Sequence, residues 1–350
     1  MDANRSESAE NGNSYPLNSS NVDPTSATWR TEEHGSLMLY VSVLIAVFCV
    51  GTVGNILIIG ALFTHSKLRS LGNVFIGNLA LSDLCVSTFV GPLAVTGVLR
   101  RDVFITNKAL CALFPALAFI TCGVSYLSIA AISLNRYTAI CHHVAYPRIY
   151  NKKTVACFIA LLWILPLTIV IPSNIGYGLG KPEFYPDASL CVYSRYDDTA
   201  NFGFTVYFII VTYVAPYMII CVCYLRIFNY TRRHQKRLMN YSTSQHLARN
   251  VTNIRLMKSI SVILLLLTVM WMPLAIVMCF DYSSAIVFPR WYHLFATGLA
   301  LGNSSVNSVV YAASNPRFRE GYVMFIKRVF TRRARQNPDK DLATISSRTK

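Results

Sequence analysis

Charge is what this chain has least of. Asp, Glu, Lys and Arg make up 14% of its 350 residues, where a soluble domain carries about 25%. The deficit falls in seven windows, 37–63, 73–99, 109–135, 154–180, 199–225, 259–280 and 291–316, whose single charged residue is Asp83. Each window exceeds the roughly 20 residues that cross about 30 Å of hydrocarbon as a helix. Seven in series exclude a soluble fold, and the lack of apolar–polar alternation excludes a β-barrel. The predicted fold class is all-α, a seven-transmembrane helix bundle.

Other absences narrow the reading. Residues 1–36 hold no apolar signal-peptide core, so the first span must direct its own insertion. No CxxC pair or His/Cys cluster suggests a metal site. No catalytic set stands out, so the chain reads as not an enzyme and without a cofactor. No cysteine follows Cys279, so no palmitoyl anchor can hold the segment after the last span.

What charge there is lies asymmetrically. Of 32 Lys and Arg, 24 fall on one side of the spans, with only Glu320, Asp339 and Asp341 as acids; the other side carries eight basic and twelve acidic residues. The positive-inside rule puts the C-terminus in the cytosol and the N-terminus outside, in a multi-pass plasma-membrane protein. The net charge of +16 is then a topology signal, not a nucleic-acid surface. The organisation expected is an extracellular tail 1–36, the helix bundle 37–314, an amphipathic helix 315–330 on the membrane surface, and a disordered cytosolic tail 331–350. The basic stretch 226–258 reads as a solvated loop near anionic lipid and as a docking surface for a cytosolic partner. Asn4 and Asn18 open glycosylation sequons outside; the sequons at Asn229, Asn240, Asn250 and Asn303 lie in the cytosol or inside a span. Of ten cysteines, Cys111 and Cys191 face the oxidising side, where a disulfide would pin the loop before span five across the outer mouth.

Polar groups inside a bilayer are costly and need partners. Each span carries one or two, in a definite order: Gly54-Asn55; Asn78 with Ser82-Asp83; Ser125 with Asn135-Arg136-Tyr137; Trp163 and Pro166; Pro216 and Tyr224; Trp271-Met272-Pro273; Asn303-Ser304-Ser305 with Asn307-Ser308-Val309-Val310-Tyr311. This series resembles the rhodopsin-like (class A) G-protein-coupled receptors over about 37–330. A seven-span channel or transporter is the remote alternative; the repeat halves it would show are not found.

The resemblance implies roles. Asp83 with Asn55, Ser125, Asn303 and Asn307 would line a polar pocket able to take an allosteric sodium ion, oxygen ligands suiting a hard cation; a hydrogen-bond network without ion is the other reading. Pro273 removes a backbone hydrogen bond from span six, below Trp271, so ligand contact there could swing its cytosolic end away from Arg136. Tyr224 and Tyr311 would turn toward the crevice so opened for a heterotrimeric G protein. Arrestin and a receptor kinase are further partners of such receptors.

Three departures place the chain within the family: Asn135 where an acid is usual, Ser308 where proline is usual, and Asn253 at the foot of span six. With Gly72-Asn73-Val74-Phe75, Cys141-His142 and Cys223 to Phe228, they resemble the melatonin-receptor branch, which implies an inhibitory G protein. The ligand contacts of that branch match only in part: Ser173 or Asn174 for its asparagine, Tyr193 for an aromatic, Arg195 for a glutamine, Thr212 for a histidine. Ala118 stands where amine receptors carry an aspartate, and Leu301 where opsins carry lysine. The pocket expected from Ala118, Phe119, Cys122, Asn174, Tyr193, Thr212, Trp271, Ala275, Tyr292 and Thr297 suits a small uncharged indole or lipid-like molecule. A peptide or an anion held by Arg195, or a non-coupling partner receptor, are the alternatives. Arg136 beside neutral Asn135 and Asn253 would be held by ordinary hydrogen bonds.

Overall fold

The computed structural model describes residues 24–176, 178–194, 200–238, 262, 265–278, 280 and 288–335. The expectations on Asn4, Asn18, Arg195 and Asn253 lie outside them. The chain divides into two compact units, residues 1–42 and 43–350. The first is described from Pro24 on and forms the start of helix α1 (Pro24–Thr64). Helix therefore begins well before the apolar window at 37.

The second unit holds the rest. α2 (Leu71–Cys85) passes through a π-turn at Val86–Val90 into α3 (Gly91–Leu99), and a short α4 (Arg101–Thr106) follows. α5 (Lys108–Cys141) is the longest helix of this unit, followed by a single turn α6 (Tyr146–Ile149) and by α7 (Lys152–Asn174). α8 (Ala200–Ile209) runs through a second π-turn, Ile210–Val214, into α9 (Ala215–Leu238). α10 spans Leu265–Met278, α11 Arg290–Ser314 and α12 Pro316–Arg335. Among the described residues, five helices are long and apolar enough to cross a membrane, and α10 is a shorter apolar one. α11 has the length but buries Asn303, Ser304, Ser305, Asn307 and Ser308 on its inner side.

Local chemistry sets the boundaries. Ser70, Asn107 and Asn151 cap α2, α5 and α7 by accepting from the backbone N–H three residues on, which satisfies one otherwise orphaned donor at each start. Both π-turns end just before a proline, Pro92 and Pro216. A proline cannot donate to the carbonyl four residues back, and a wider turn redistributes the remaining bonds.

α5 is the central helix and packs against α2, α7 and α9. Asn78 Nδ2 donates to Ser128 Oγ at 2.8 Å and Trp163 Nε1 donates to Asn78 Oδ1 at 2.9 Å, so one buried amide ties three helices. A β-hairpin, β1 (Lys181–Tyr185) with β2 (Leu190–Ser194), crosses one end of the bundle. It is the one strand pair among the described residues of an otherwise helical fold. The disulfide between Cys111 and Cys191 holds it to the start of α5.

α1 and α11 approach through small residues. A Cβ on Gly54 would sit 2.1 Å from Ser308 Oγ, so no larger side chain fits without movement. Ser305 Oγ donates to the Val47 carbonyl at 2.7 Å, and Asn55 Nδ2 to the Ser304 carbonyl at 3.1 Å. α12 buries Phe318 against Tyr311 and leaves Val323, Met324, Ile326, Val329 and Phe330 exposed. The amphipathic helix expected at 315–330 is present, and it runs to Arg335, five residues into the segment expected to be a disordered tail.

Candidate functional site

Three groups of residues are brought together along the bundle. At the disulfide end, Asn174 closes α7 and its Nδ2 donates to Tyr193 Oη at 2.8 Å. Burial pushes the Tyr193 phenol up to about 12, a rise that the Asn174 hydrogen bond opposes. Ser173, the other residue considered for this role, is turned away: its hydroxyl donates to the Ile169 carbonyl and accepts from Leu179 N–H. Tyr193 packs edge-on against Phe119, ring centroids 5.4 Å apart, and Phe119 lies 5.3 Å from Phe208. The hairpin thus lays an aromatic roof over α5.

The rings continue inward. Phe208 meets Tyr213 at 5.6 Å, and Tyr213 meets Trp271 at 5.9 Å. Tyr126 touches both, at 6.1 Å from Tyr213 and 6.0 Å from Trp271. Cys122 and Thr212 are buried along this path, Thr212 donating to the Phe208 carbonyl. Ala118, Ala275 and Thr297 are half-buried on α5, α10 and α11 respectively. Tyr292 is not part of this group. It stacks on Phe288 at 5.0 Å, beside His293 and Tyr185, in a second ring cluster at the start of α11. Phe208, Tyr213 and Tyr126 were not singled out from the sequence, because a ring inside an apolar run reads as lipid-facing or packing until its neighbours on other helices are known.

In the middle of the bundle, Asp83 is fully buried. Its Oδ1 accepts from Ser125 Oγ at 2.7 Å and its Oδ2 from Asn307 Nδ2 at 2.8 Å. The Ser304 hydroxyl also lies against it, whereas Asn303 is buried with no bond to the carboxylate among the described contacts. Asn55 joins this layer through the Ser304 carbonyl, and its own buried Oδ1 has no hydrogen-bond partner among the described residues. The Asp83 carboxylate, the Ser125 and Ser304 hydroxyls and the Asn55 amide oxygen are oxygen donors buried in this part of the bundle. That set fits a hard monovalent cation, which would be held by Asp83 and these oxygens and would offset the buried charge.

At the opposite end stands Arg136. Its Nη2 donates to Asn73 Oδ1 at 3.2 Å. Asn73 is itself anchored, its Nδ2 donating to the Leu68 carbonyl at 2.9 Å and its backbone N–H to Ser70. Asn135 is buried under Gly72, and its Nδ2 donates to Tyr146 Oη at 3.2 Å. Tyr146 stacks on Tyr150 at 4.9 Å. Tyr137 Oη pairs with His142 Nε2 at 2.9 Å. Among the described residues no acid lies within ion-pair distance of Arg136. Tyr311 is buried against Phe318 and Tyr224 packs against Phe228. Pro273 lies in α10 two residues after Trp271, whose buried indole N–H has no hydrogen-bond partner among the described residues.

Comparison with known proteins follows this geometry. A sequence model of the family described as 7 transmembrane receptor (rhodopsin family) matches residues 54–311. Melatonin receptor type 1A-A of Danio rerio is 27% identical over 330 residues, covering 92% of this chain and 90% of the relative. Melatonin receptor type 1C of Xenopus laevis is 27% identical over 320 residues, covering 88% and 74%. Melatonin receptor type 1A of Ovis aries is 26% identical over 317 residues, covering 89% and 84%.

Proposed function

Since this chain belongs to the rhodopsin family of seven-transmembrane receptors, and is thereby a ligand-activated G-protein-coupled receptor of the plasma membrane, we propose that its ligand is a small, mostly uncharged aromatic or lipid-like molecule held beneath the hairpin. The observation that carries this is the roof itself: Tyr193, Phe119 and Phe208 present ring faces, Asn174 fixes the Tyr193 hydroxyl, and Ala118 offers a cation no counter-charge. Once Tyr193 Oη accepts from Asn174, its own hydrogen is left to donate to a ligand acceptor. An indole of the melatonin type meets this description, and the likeness to melatonin receptors supports it. The same likeness supports coupling to an inhibitory G protein, with arrestin and a receptor kinase as further partners.

In this proposal the disulfide end faces the outside and the Arg136 end the cytosol, in keeping with the 24 basic residues on the latter side. Ligand binding under the hairpin favours one of two packings around Trp271 and Pro273, and that packing releases Arg136 from Asn73 to meet the G protein. Sodium at Asp83 favours the resting packing.

Indoles, neutral lipids and anionic lipids screened against cells expressing the chain test the ligand class. An uncharged aromatic is expected to signal, with Tyr193→Ala and Thr212→Ala weakening it. Responses confined to anionic or peptide ligands would overturn the proposal.

A further inference from the structure

We propose that Thr331 is a phosphorylation site, and that a phosphate there frees the end of α12 from an anionic membrane surface. The inference rests on the membrane reading of the chain alone; neither the ligand nor the G protein enters it.

α12 is held in two different ways along its length. Its first turns dock on protein: Phe318 is fully buried, Gly321 lies against Ala61 and Leu68, and the Phe325 ring lies over Gly60. At about 100° per residue, Val329 falls on the same arc as Phe318 and Phe325, yet it is 45% exposed. The described part of the bundle therefore stops short of the last turns of the helix. Val323, Ile326 and Phe330 form a second arc, all exposed, with Phe330 at 65%. A membrane surface covers an arc of this kind. No cysteine follows Cys279, so no acyl chain adds to the hold. What remains is apolar contact and the charge of α12, seven Lys and Arg against Glu320 alone, which an anionic leaflet attracts.

Thr331 stands on the third side of the helix. It falls within about 40° of Glu320 and Lys327, and all three are exposed. Lys327-Arg328-Val329-Phe330 leads up to it, so a basic pair precedes it at a distance of one helical turn. Kinases that select basic substrates seat such a pair on carboxylates of their own cleft. They also take the acceptor in extended backbone. Thr331 lies in the last turn of a helix that ends at Arg335, where carbonyls lack intrahelical partners and the helix frays. In the step itself the Thr331 hydroxyl oxygen bonds to the γ-phosphorus of ATP. The bond from that phosphorus to the β–γ bridging oxygen breaks, ADP leaves, and the hydroxyl proton passes to solvent through the kinase base. The phosphate carries about −2 at pH 7. Lys327 and Arg328, one turn earlier, are placed to pair with it, so the helix keeps its form while its net charge falls by about two.

The test uses the full chain in nanodiscs, with the fluorescent residue acridonylalanine in place of Phe330 and a nitroxide-labelled lipid as quencher. The kinase is the catalytic subunit of cyclic-AMP-dependent protein kinase, and phosphopeptide mass spectrometry locates the phosphate. In mixed phosphatidylcholine and phosphatidylserine, phosphate at Thr331 is expected to lower the bound-to-free ratio of the helix end about tenfold, the scale of two charges at an anionic surface. In phosphatidylcholine alone there is no such attraction to lose, and quenching is expected to stay as it was. Thr331→Ala is expected to keep its quenching through the same treatment, which sets aside any phosphate at Ser346, Ser347 or Thr349. Absence of phosphate at Thr331, or phosphate there with unchanged quenching in the mixed lipid, would overturn the inference. Equal loss in both lipids would overturn it too, because the helix would then be unwinding rather than losing charge attraction. Neither readout needs ligand or G protein, so failure here is distinct from failure of the proposed function.

Discussion

Restoring an acid at Asn135 is the sharpest perturbation of the Arg136 end. Asn135 is 1% exposed, and its side chain lies in the space that Gly72 leaves free. Aspartate is nearly isosteric, so Asn135→Asp introduces charge without new volume. Tyr146 Oη, now the acceptor from Asn135 Nδ2 at 3.2 Å, can reverse and donate to the carboxylate, which keeps the local bond. If the new carboxylate turns to within about 4 Å of the Arg136 guanidinium, the pair gains about 4 kcal/mol at an effective dielectric constant near 20. Taking that carboxylate out of water costs several kcal/mol, which the Tyr146 hydrogen bond and the half-buried arginine offset in part. A net gain of about 1–2 kcal/mol for the resting packing lowers ligand-free activity by about 5- to 30-fold. The assay is G-protein activation without ligand at equal surface expression. Asn73→Ala, which takes away the present partner of Arg136, is the opposing control and raises it. Equal basal activity in wild type and Asn135→Asp, with Asn73→Ala also unchanged, would refute the idea that Arg136 is held by neutral hydrogen bonds.

Three further outcomes are expected. Gly54→Ala places a Cβ 2.1 Å from Ser308 Oγ and lowers stability by about 1–3 kcal/mol through overpacking; thermal unfolding in detergent reads this, and Ser308→Gly in the same chain restores it. Asp83→Asn removes the carboxylate from the polar layer, so the sodium dependence of agonist affinity disappears while agonist binding in sodium-free buffer persists; an unchanged sodium response would remove the cation from the proposal. Tyr193 ionises near 10 in the unfolded chain and near 12 in place. Its contribution to stability is therefore complete below about 10 and is lost as pH rises from there to about 12. Ligand binding is accordingly flat from pH 6 to 9, and Tyr193→Phe weakens it by about tenfold without introducing a pH dependence, the scale of one hydrogen bond.

The fold was readable where a single physical quantity decides it. Apolar length alone marks a membrane span, and described helix runs through most of the described part of each of the seven windows. Cys111 and Cys191 were readable because the charge pattern placed both on the same side of the spans. What escaped involved contacts between distant segments. Arg136 and Asn73 are 63 residues apart, and nothing in either tripeptide announces the other. The ring path through Phe208, Tyr213 and Tyr126 depends on a π-turn that no hydrophobic pattern encodes, although Pro216 just beyond it is a usable signal. The hairpin 181–194 was read as plain loop because its strands are short and one begins Lys-Pro. Tyr292 was expected to face the pocket with Trp271, and it stacks on Phe288, a contact that the sequence did not announce.

The anchoring of Asn73 gives the receptor a handle outside its crevice. Arg136 holds Asn73, and Asn73 holds the Leu68 carbonyl and the Ser70 cap, while Ser66, Lys67, Arg69 and Ser70 stand exposed on that turn. Any change in the grip on Arg136 must alter the shape of a small solvent-facing epitope. By reciprocity, a protein that binds this epitope in its present shape stabilises the resting receptor by as much as the resting receptor favours that protein. A single-domain antibody selected on the 66–70 turn would then act as an inhibitor that never touches the ligand cavity or the G-protein crevice.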